Sequence, residues 1–300
     1  MADVLAGYLA RIQADLPGLR VASALMNSDG MMNDVVIVND TLVFRFAKSD
    51  HAKSLLTYEA QLLQLIERSV TVPVPHIEYC TDTYMHYRYV PGMPLYRHTF
   101  LRADTAMQDA LAHQLATFLQ QLHAIPLSEV PAPPWQTATP LASRQSFYEQ
   151  RLTELEQHIY PLLWADQKAW VSDLFAPVCD GRVGLDDFTP VLIHRDLAAY
   201  HILHAPQTGH LTGVIDYGTA GAGDAALDWA CLINTYGEQF VQRMHDVYPI
   251  SQAMIDRARF LAGALELEWA LGGIQSNDLS LLLVHLGRAR DSLPMLTAWP

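Results

Sequence analysis

Residues 194–203 read HRDLAAYHIL and follow directly on the apolar run Pro190-Val191-Leu192-Ile193. A short buried strand that ends in His-x-Asp delivers a carboxylate to the mouth of a cleft. Counting on from Asp196, Leu197 comes next and His201 stands five positions away. That is the spacing of the H-R-D-L-x-x-x-N loop of phosphoryl transfer, with histidine in the place of asparagine. On this reading Asp196 is the base that orients and deprotonates an acceptor hydroxyl, and His201 is a metal ligand.

Two further pieces stand where such chemistry needs them. Twenty positions after Asp196, Ile215-Asp216-Tyr217-Gly218 occupies the place of a metal-binding D-x-G, with Asp216 as the second ligand. Near the N-terminus, Val43-Phe44-Arg45-Phe46 has strand character, and period-two alternation puts Val43 and Arg45 on one face. Val43 would roof a nucleotide base while Arg45 reaches phosphate. Glu59, on the helix that follows, would hold that cation by a charge-assisted pair. Lys48 is the alternative phosphate contact, although in an unbroken strand it would face the opposite way. The turn expected to cover the phosphates has a single glycine, Gly30, with Ser28 and Asn33 beside it as helpers or as plain turn residues.

Around these pieces the pattern divides the chain in two. A first helix gives way to strands, with Val35-Val36-Ile37-Val38 and Thr41 to Phe46 flanking the hairpin signal Asn39-Asp40. Ser49 or Asp50 caps a helix whose Leu55, Leu56, Glu59, Leu62, Leu63 and Ile66 recur at helical spacing. Strands near 77–80 and 84–90 then run into Pro91-Gly92-Met93-Pro94. From Asp104 onward helices dominate: 110–125, 141–157, 161–177 and three or four more over 224–296, with brief strands at 191–194, 202–204 and 211–215. The expectation is an α+β, bilobal fold: residues 1–90 a nucleotide-binding lobe with a small antiparallel sheet and one main helix, 91–95 a linker, and 96–300 a larger, mostly helical lobe. Nucleotide would bind near Tyr89 and Val90, and bulk across 87–90 would choose between ATP and GTP.

Acidic residues outnumber basic ones by 32 to 19, a formal net charge of −13. This argues against nucleic acid or an anionic membrane and suits a cationic small molecule. Three scattered cysteines indicate neither a disulfide framework nor a zinc site. No run reaches the roughly 18 apolar residues of a membrane span, and no basic-then-apolar leader opens the chain. A cytoplasmic protein, monomeric or weakly dimeric, is expected.

The sequence resembles the aminoglycoside phosphotransferase family, within the protein-kinase-like fold, over roughly residues 20–275. The stretches that carry the resemblance are Ser28-Asp29-Gly30-Met31-Met32-Asn33-Asp34-Val35, Leu42 to Lys48, Tyr89-Val90-Pro91-Gly92, Leu122-His123-Ala124-Ile125-Pro126, the 194–203 loop, and Asp216-Tyr217-Gly218 followed by Gly223-Asp224 and Asp228. The pattern is most similar to the aminoglycoside 2''-phosphotransferases, with the macrolide 2'-phosphotransferases nearly as similar. Both branches carry histidine at the place of His201.

The resemblance implies Mg²⁺, ATP or GTP as phosphate donor, and an antibiotic hydroxyl as acceptor. It also implies acceptor contacts from Glu238, from Glu266 and Glu268, and from the aromatic Trp269. Asp224 and Asp228 are expected to brace the loop by hydrogen bonds, and His123 and His194 to be structural. Only twelve positions separate Asp216 from Asp228, no A-P-E follows, and Ala198 stands where many protein kinases carry lysine. A peptide-docking platform is therefore not expected. The alternatives are a kinase for a macrolide, a peptide antibiotic or an amino alcohol, and a catalytically silent nucleotide-binding module.

Overall fold

The computed structural model describes residues 2–28, 30, 32–134, 143–278, 295–296 and 298. Its N-terminal lobe runs α1 (Ala2–Asp15), β1 (Ala24–Asn27), β2 (Asn33–Val38), β3 (Leu42–Ala47), α2 (Asp50–Glu67), β4 (Ile77–Cys80) and β5 (Tyr84–Arg88). The five strands form one antiparallel sheet in the order β1-β2-β3-β5-β4. Asn39 and Asp40 both take φ of 53°, as a two-residue turn between right-twisted strands requires. The Asn39 side chain fixes that turn by accepting from the N–H groups of Ala22 and Ser23. Ser49 caps α2 by accepting from Ala52 N. α1 lies on one sheet face, where Ile12 meets Val36, Val38, Phe44, Phe46 and Tyr84 in a small core of its own.

The inner face of α2 belongs to a second, larger core. Tyr58, Leu62, Leu63, Leu65 and Ile66 are continuous with the apolar side chains of the C-terminal lobe. That lobe contains β6 (Met93–Pro94), α3 (Arg97–Arg102), α4 (Thr105–His123), α5 (Arg144–His158), α6 (Ala165–Cys179), β7 (Val191–Ile193), β8 (Ile202–Ala205), β9 (His210–Val214), β10 (Gly221–Gly223), α7 (Ala226–Tyr236), α8 (Glu238–Met244) and α9 (Gln252–Gln275). The two-lobed α+β architecture expected from the sequence is the one observed. The helical signals at 141–142 and over 279–294 lie outside the described residues.

The chain leaves β5 at Arg88 and is paired with β8 by Met93. Between them, residues 90–92 cross β9 at close range. A Cβ at Gly92 would lie 2.0 Å from Thr212 Oγ1, and one at Gly213 would lie 2.4 Å from Val90 Cγ1. The two glycines allow the crossing.

α8 and α9 are locked by charge rather than by apolar contact alone. Arg259 is fully buried; its Nε and Nη2 donate to the two carboxylate oxygens of Glu238 at 3.0 and 2.5 Å, and its Nη1 donates to Asp256 Oδ1 at 3.2 Å. Glu238, expected to face an acceptor, is therefore an internal ion-pair partner, 2% exposed. A guanidinium fork that has lost its water needs a bidentate acid, and Glu238 is the residue that supplies it. Glu238→Ala should destabilise the protein by about 3–5 kcal/mol, since it leaves Arg259 buried without its main partner. Urea unfolding would measure this; a curve within about 0.5 kcal/mol of wild type would place Glu238 outside the core.

Candidate active site

The loop after β7 is held in an unfavourable backbone conformation. Arg195 has φ of 72°, a left-handed value that costs a non-glycine residue of order 1 kcal/mol or more. Asp228 on α7 offsets that cost. Its carboxylate, fully buried, accepts from His194 N at 2.9 Å and from Arg195 N at 2.7 Å. Burial alone would raise the Asp228 carboxyl, but the hydrogen bonds from His123 and from the His194 backbone N–H outweigh it and keep the group ionised. His123 Nε2 lies 3.1 Å from Asp228, and His123 Nδ1 lies 3.1 Å from the Tyr248 hydroxyl.

His194 completes the bracing. Its Nε2–H donates to Ile215 O at 3.1 Å, which leaves Nδ1 to accept from Asp196 N at 3.3 Å. Burial pushes its pKa down, so the ring is the neutral tautomer that this pattern needs. Asp228 and His194 thus do what the sequence leads one to expect of them. Cys231 and Thr235 were not anticipated. They bond the carbonyls of Arg195 and Leu197 at 3.3 and 3.2 Å. With Asp228 they form the row 228, 231, 235, an i, i+3, i+7 spacing that could have been read from sequence once α7 was placed beneath the loop.

Above the loop, His201 stands between two carboxylates that are each nearly half exposed, Asp196 at 47% and Asp216 at 44%. His201 Nδ1–H donates to Asp196 O at 2.8 Å, so the free ring nitrogen is Nε2, which faces Asp216 Oδ2 at 3.4 Å. One imidazole nitrogen and one carboxylate suit a divalent cation that takes its other ligands from phosphate oxygens and water. Among the described residues no cluster of three or more His, Cys, Asp or Glu side chains could hold a metal ion by itself.

Arg45 and Glu59 meet as expected. Arg45, buried on β3, donates through Nη1 to Glu59 Oε1, while its Nη2 approaches Asp216 Oδ1 at 3.4 Å. Glu59 Oε1 also accepts from Tyr217 N at 3.3 Å, and the adjacent Tyr58 hydroxyl donates to Ala220 O at 2.8 Å. Burial would raise the Asp216 carboxyl; Arg45 and His201 outweigh it and hold the group well below the usual carboxylate range. Val43 is buried beside Arg45, opposite Tyr87 in the register. Tyr89 is exposed, with its N–H donating to Thr41 O at 2.8 Å, and Val90 packs against Gly213 at the crossing.

Lys48 lies elsewhere than expected. β3 ends at Ala47, so strand alternation does not govern it; its ammonium donates to the carbonyls of Ser28 and Gly30 at 2.6 and 2.5 Å and lies 3.3 Å from Asp34. It braces the turn instead of projecting from it. The remaining acid side chains of the expected acceptor wall turn to different partners. Glu266 is buried and accepts from Asn234 Nδ2 at 2.5 Å, whereas Glu268 pairs with Arg151 at 3.1 Å. Trp269 is 40% exposed. Thr235, next to Asn234, touches the loop, so Glu266 is tied to the helix behind Asp196.

The bracing can be measured separately from the chemistry. Asp228→Asn keeps one carbonyl acceptor and loses the other, which leaves a buried loop N–H unpaired; stability should fall by about 1–3 kcal/mol in urea unfolding. An unchanged midpoint would mean that the loop holds its left-handed turn without Asp228.

A viomycin phosphotransferase of Streptomyces vinaceus is 27% identical over 247 residues, 76% of this chain and 79% of its own length. An aminoglycoside 2'-phosphotransferase-IIIa solved as its GDP complex is 26% identical, with a TM-score of 0.81 over 94% of this chain and 96% of that one. The macrolide 2'-phosphotransferase of Brachybacterium faecium, 17% identical with a TM-score of 0.66 over 94% and 98% of the two chains, shares the fold. The sequence profile described as "Phosphotransferase enzyme family" matches residues 25–261, so the chain belongs to that family.

Proposed function

We propose that this phosphotransferase moves the terminal phosphate of ATP or GTP to a hydroxyl of a small cationic antibiotic, most simply an aminoglycoside. The observation that carries the reading is His201 set between Asp196 and Asp216, with Arg45 holding Asp216 from the other side. The donor would lie between the sheet and the loop, its base under Val43 and along Tyr89 and Val90, with residues 91–95 linking lobe 1–90 to lobe 96–300. A relative 25% identical to this chain was solved with GDP and kanamycin, which supports both halves of the assignment.

Asp196 accepts the proton of the acceptor hydroxyl as its oxygen attacks the phosphorus in line, and the nucleoside diphosphate departs. His194 and Asp228 keep that carboxylate at the loop tip, and Arg45 stays cationic beside the phosphates. Mg²⁺, held by His201 Nε2 and Asp216, would neutralise charge on the phosphates. Among the described residues no helix is long and apolar enough to cross a membrane. A cytoplasmic location, as a monomer or weak dimer, fits an enzyme that meets both nucleotide and incoming drug. The match to a viomycin phosphotransferase over three quarters of the chain gives viomycin second place as acceptor.

Purified protein offered ATP or GTP with aminoglycosides, viomycin, macrolides and amino alcohols should yield one phosphorylated class, detected by mass. No product from any would sink the assignment. With the active acceptor, Asp196→Ala should lower kcat by about 10²- to 10⁴-fold while nucleotide affinity holds.

The pH dependence tests His201 separately. Burial opposes its protonation, but Asp216 and Asp196 prevail and raise its pKa. A proton then competes with the metal at Nε2, and Mg²⁺-dependent nucleotide affinity should fall as pH drops through that raised pKa, by up to about tenfold per unit. His201→Asn should flatten the slope between pH 8 and 6; equal slopes in both proteins would remove residue 201 from the metal.

A further inference from the structure

α1 takes no part in the reaction just described, yet it is wired to the turn above the phosphates. The Tyr8 hydroxyl donates to Asp34 Oδ2 at 2.7 Å. Asp34 is buried near the start of β2, and its Oδ1 lies 3.3 Å from Lys48 Nζ. Lys48 then donates to Ser28 O and Gly30 O. Two of the ammonium hydrogens thus go to backbone carbonyls, and its charge is held by the Asp34 carboxylate as an ion pair. The Lys48 backbone adds a fourth tie, its N–H donating to Met32 O at 2.9 Å. Packing fixes the far end of the chain, because the Tyr8 ring stacks on Phe46 at 4.1 Å between centroids.

A mere cover for the sheet would not need this route. α1 makes a second bond of the same chemistry, in which the Tyr84 hydroxyl donates to Asp15 Oδ2 at 2.7 Å. That bond secures the other end of α1 and has no link to the turn. The molecule therefore carries its own control.

We propose that Tyr8, Asp34 and Lys48 form a latch through which α1 fixes the turn backbone at Ser28 and Gly30 on the nucleotide side of the sheet, which makes Tyr8 a positioning residue for nucleotide binding. The proposal rests on the phosphotransferase reading of the cleft. A single glycine in the turn gives it reason: where the sequence of the turn does not impose a cradle, a side chain from outside fixes the backbone. Lys48 acts by setting the shape of the turn through its carbonyl groups, not by touching phosphate.

The test is the dissociation constant of full-length protein for ATP and for GTP with Mg²⁺, alongside the melting temperature. Tyr8→Phe should weaken nucleotide binding about threefold to tenfold, a part of what one lost hydrogen bond to a charged group would cost if all of it reached the nucleotide. Tyr84→Phe should lower the melting temperature comparably and leave nucleotide affinity unchanged. In the Lys48→Met background, adding Tyr8→Phe should cost no further affinity, because the two act along one path. Tyr8→Phe with wild-type affinity overturns the latch, and so does an equal loss in Tyr84→Phe. A wild-type protein that binds neither nucleotide overturns the phosphotransferase reading itself and the latch with it.

Discussion

Arg45 and Glu59 come from different elements, β3 and α2, and meet where neither is solvated. Removing two such charges from water costs several kcal/mol each, and their mutual attraction repays that only when the remaining donors and acceptors also find partners. Here they do. The second guanidinium nitrogen approaches Asp216, and the same Glu59 oxygen takes the Tyr217 N–H. The planar fork of Arg45 reaches Glu59 with one terminal nitrogen and Asp216 with the other. The pair therefore ties the sheet, the helix and the Asp216 segment together, and the position of the expected metal carboxylate follows from it.

Asp228 does below the loop what Glu59 does above it. Each is an acid with almost no exposure that accepts backbone N–H groups from a segment next to a half-exposed carboxylate: His194 and Arg195 before Asp196, Tyr217 after Asp216. Two buried acids thus set the positions of two half-exposed ones. The exposed pair is free for chemistry because the buried pair carries the geometry.

The elements of this site differ in how plainly the sequence announces them. Asp196, His201, Asp216, Arg45 and Glu59 were legible because the chemistry dictates both residue type and spacing, and Asn39-Asp40 was legible because few residue pairs accept two left-handed conformations. Glu238 was not. Its partner Arg259 lies on another helix, and nothing local distinguishes an acid that faces a cleft from one that faces a buried guanidinium. Strand alternation says nothing about Lys48, offered as the alternative phosphate contact, since β3 stops at Ala47 and period two stops with it. α9 hid its purpose for a related reason: Asp256, Arg257, Arg259 and Glu266 are all buried on one helix, so charge there does not mark the solvent side.

The stretch from Asp216 to Asp228 is short, and it is pinned repeatedly. Tyr217 N is held by Glu59, Ala220 O by the Tyr58 hydroxyl, Ala222 O by Arg195, and Asp224 by Arg144 and Arg257. These ties come from both lobes, Tyr58 and Glu59 from α2 and Arg144, Arg195 and Arg257 from the helical lobe, so the segment takes its shape only when the two lobes close on it together.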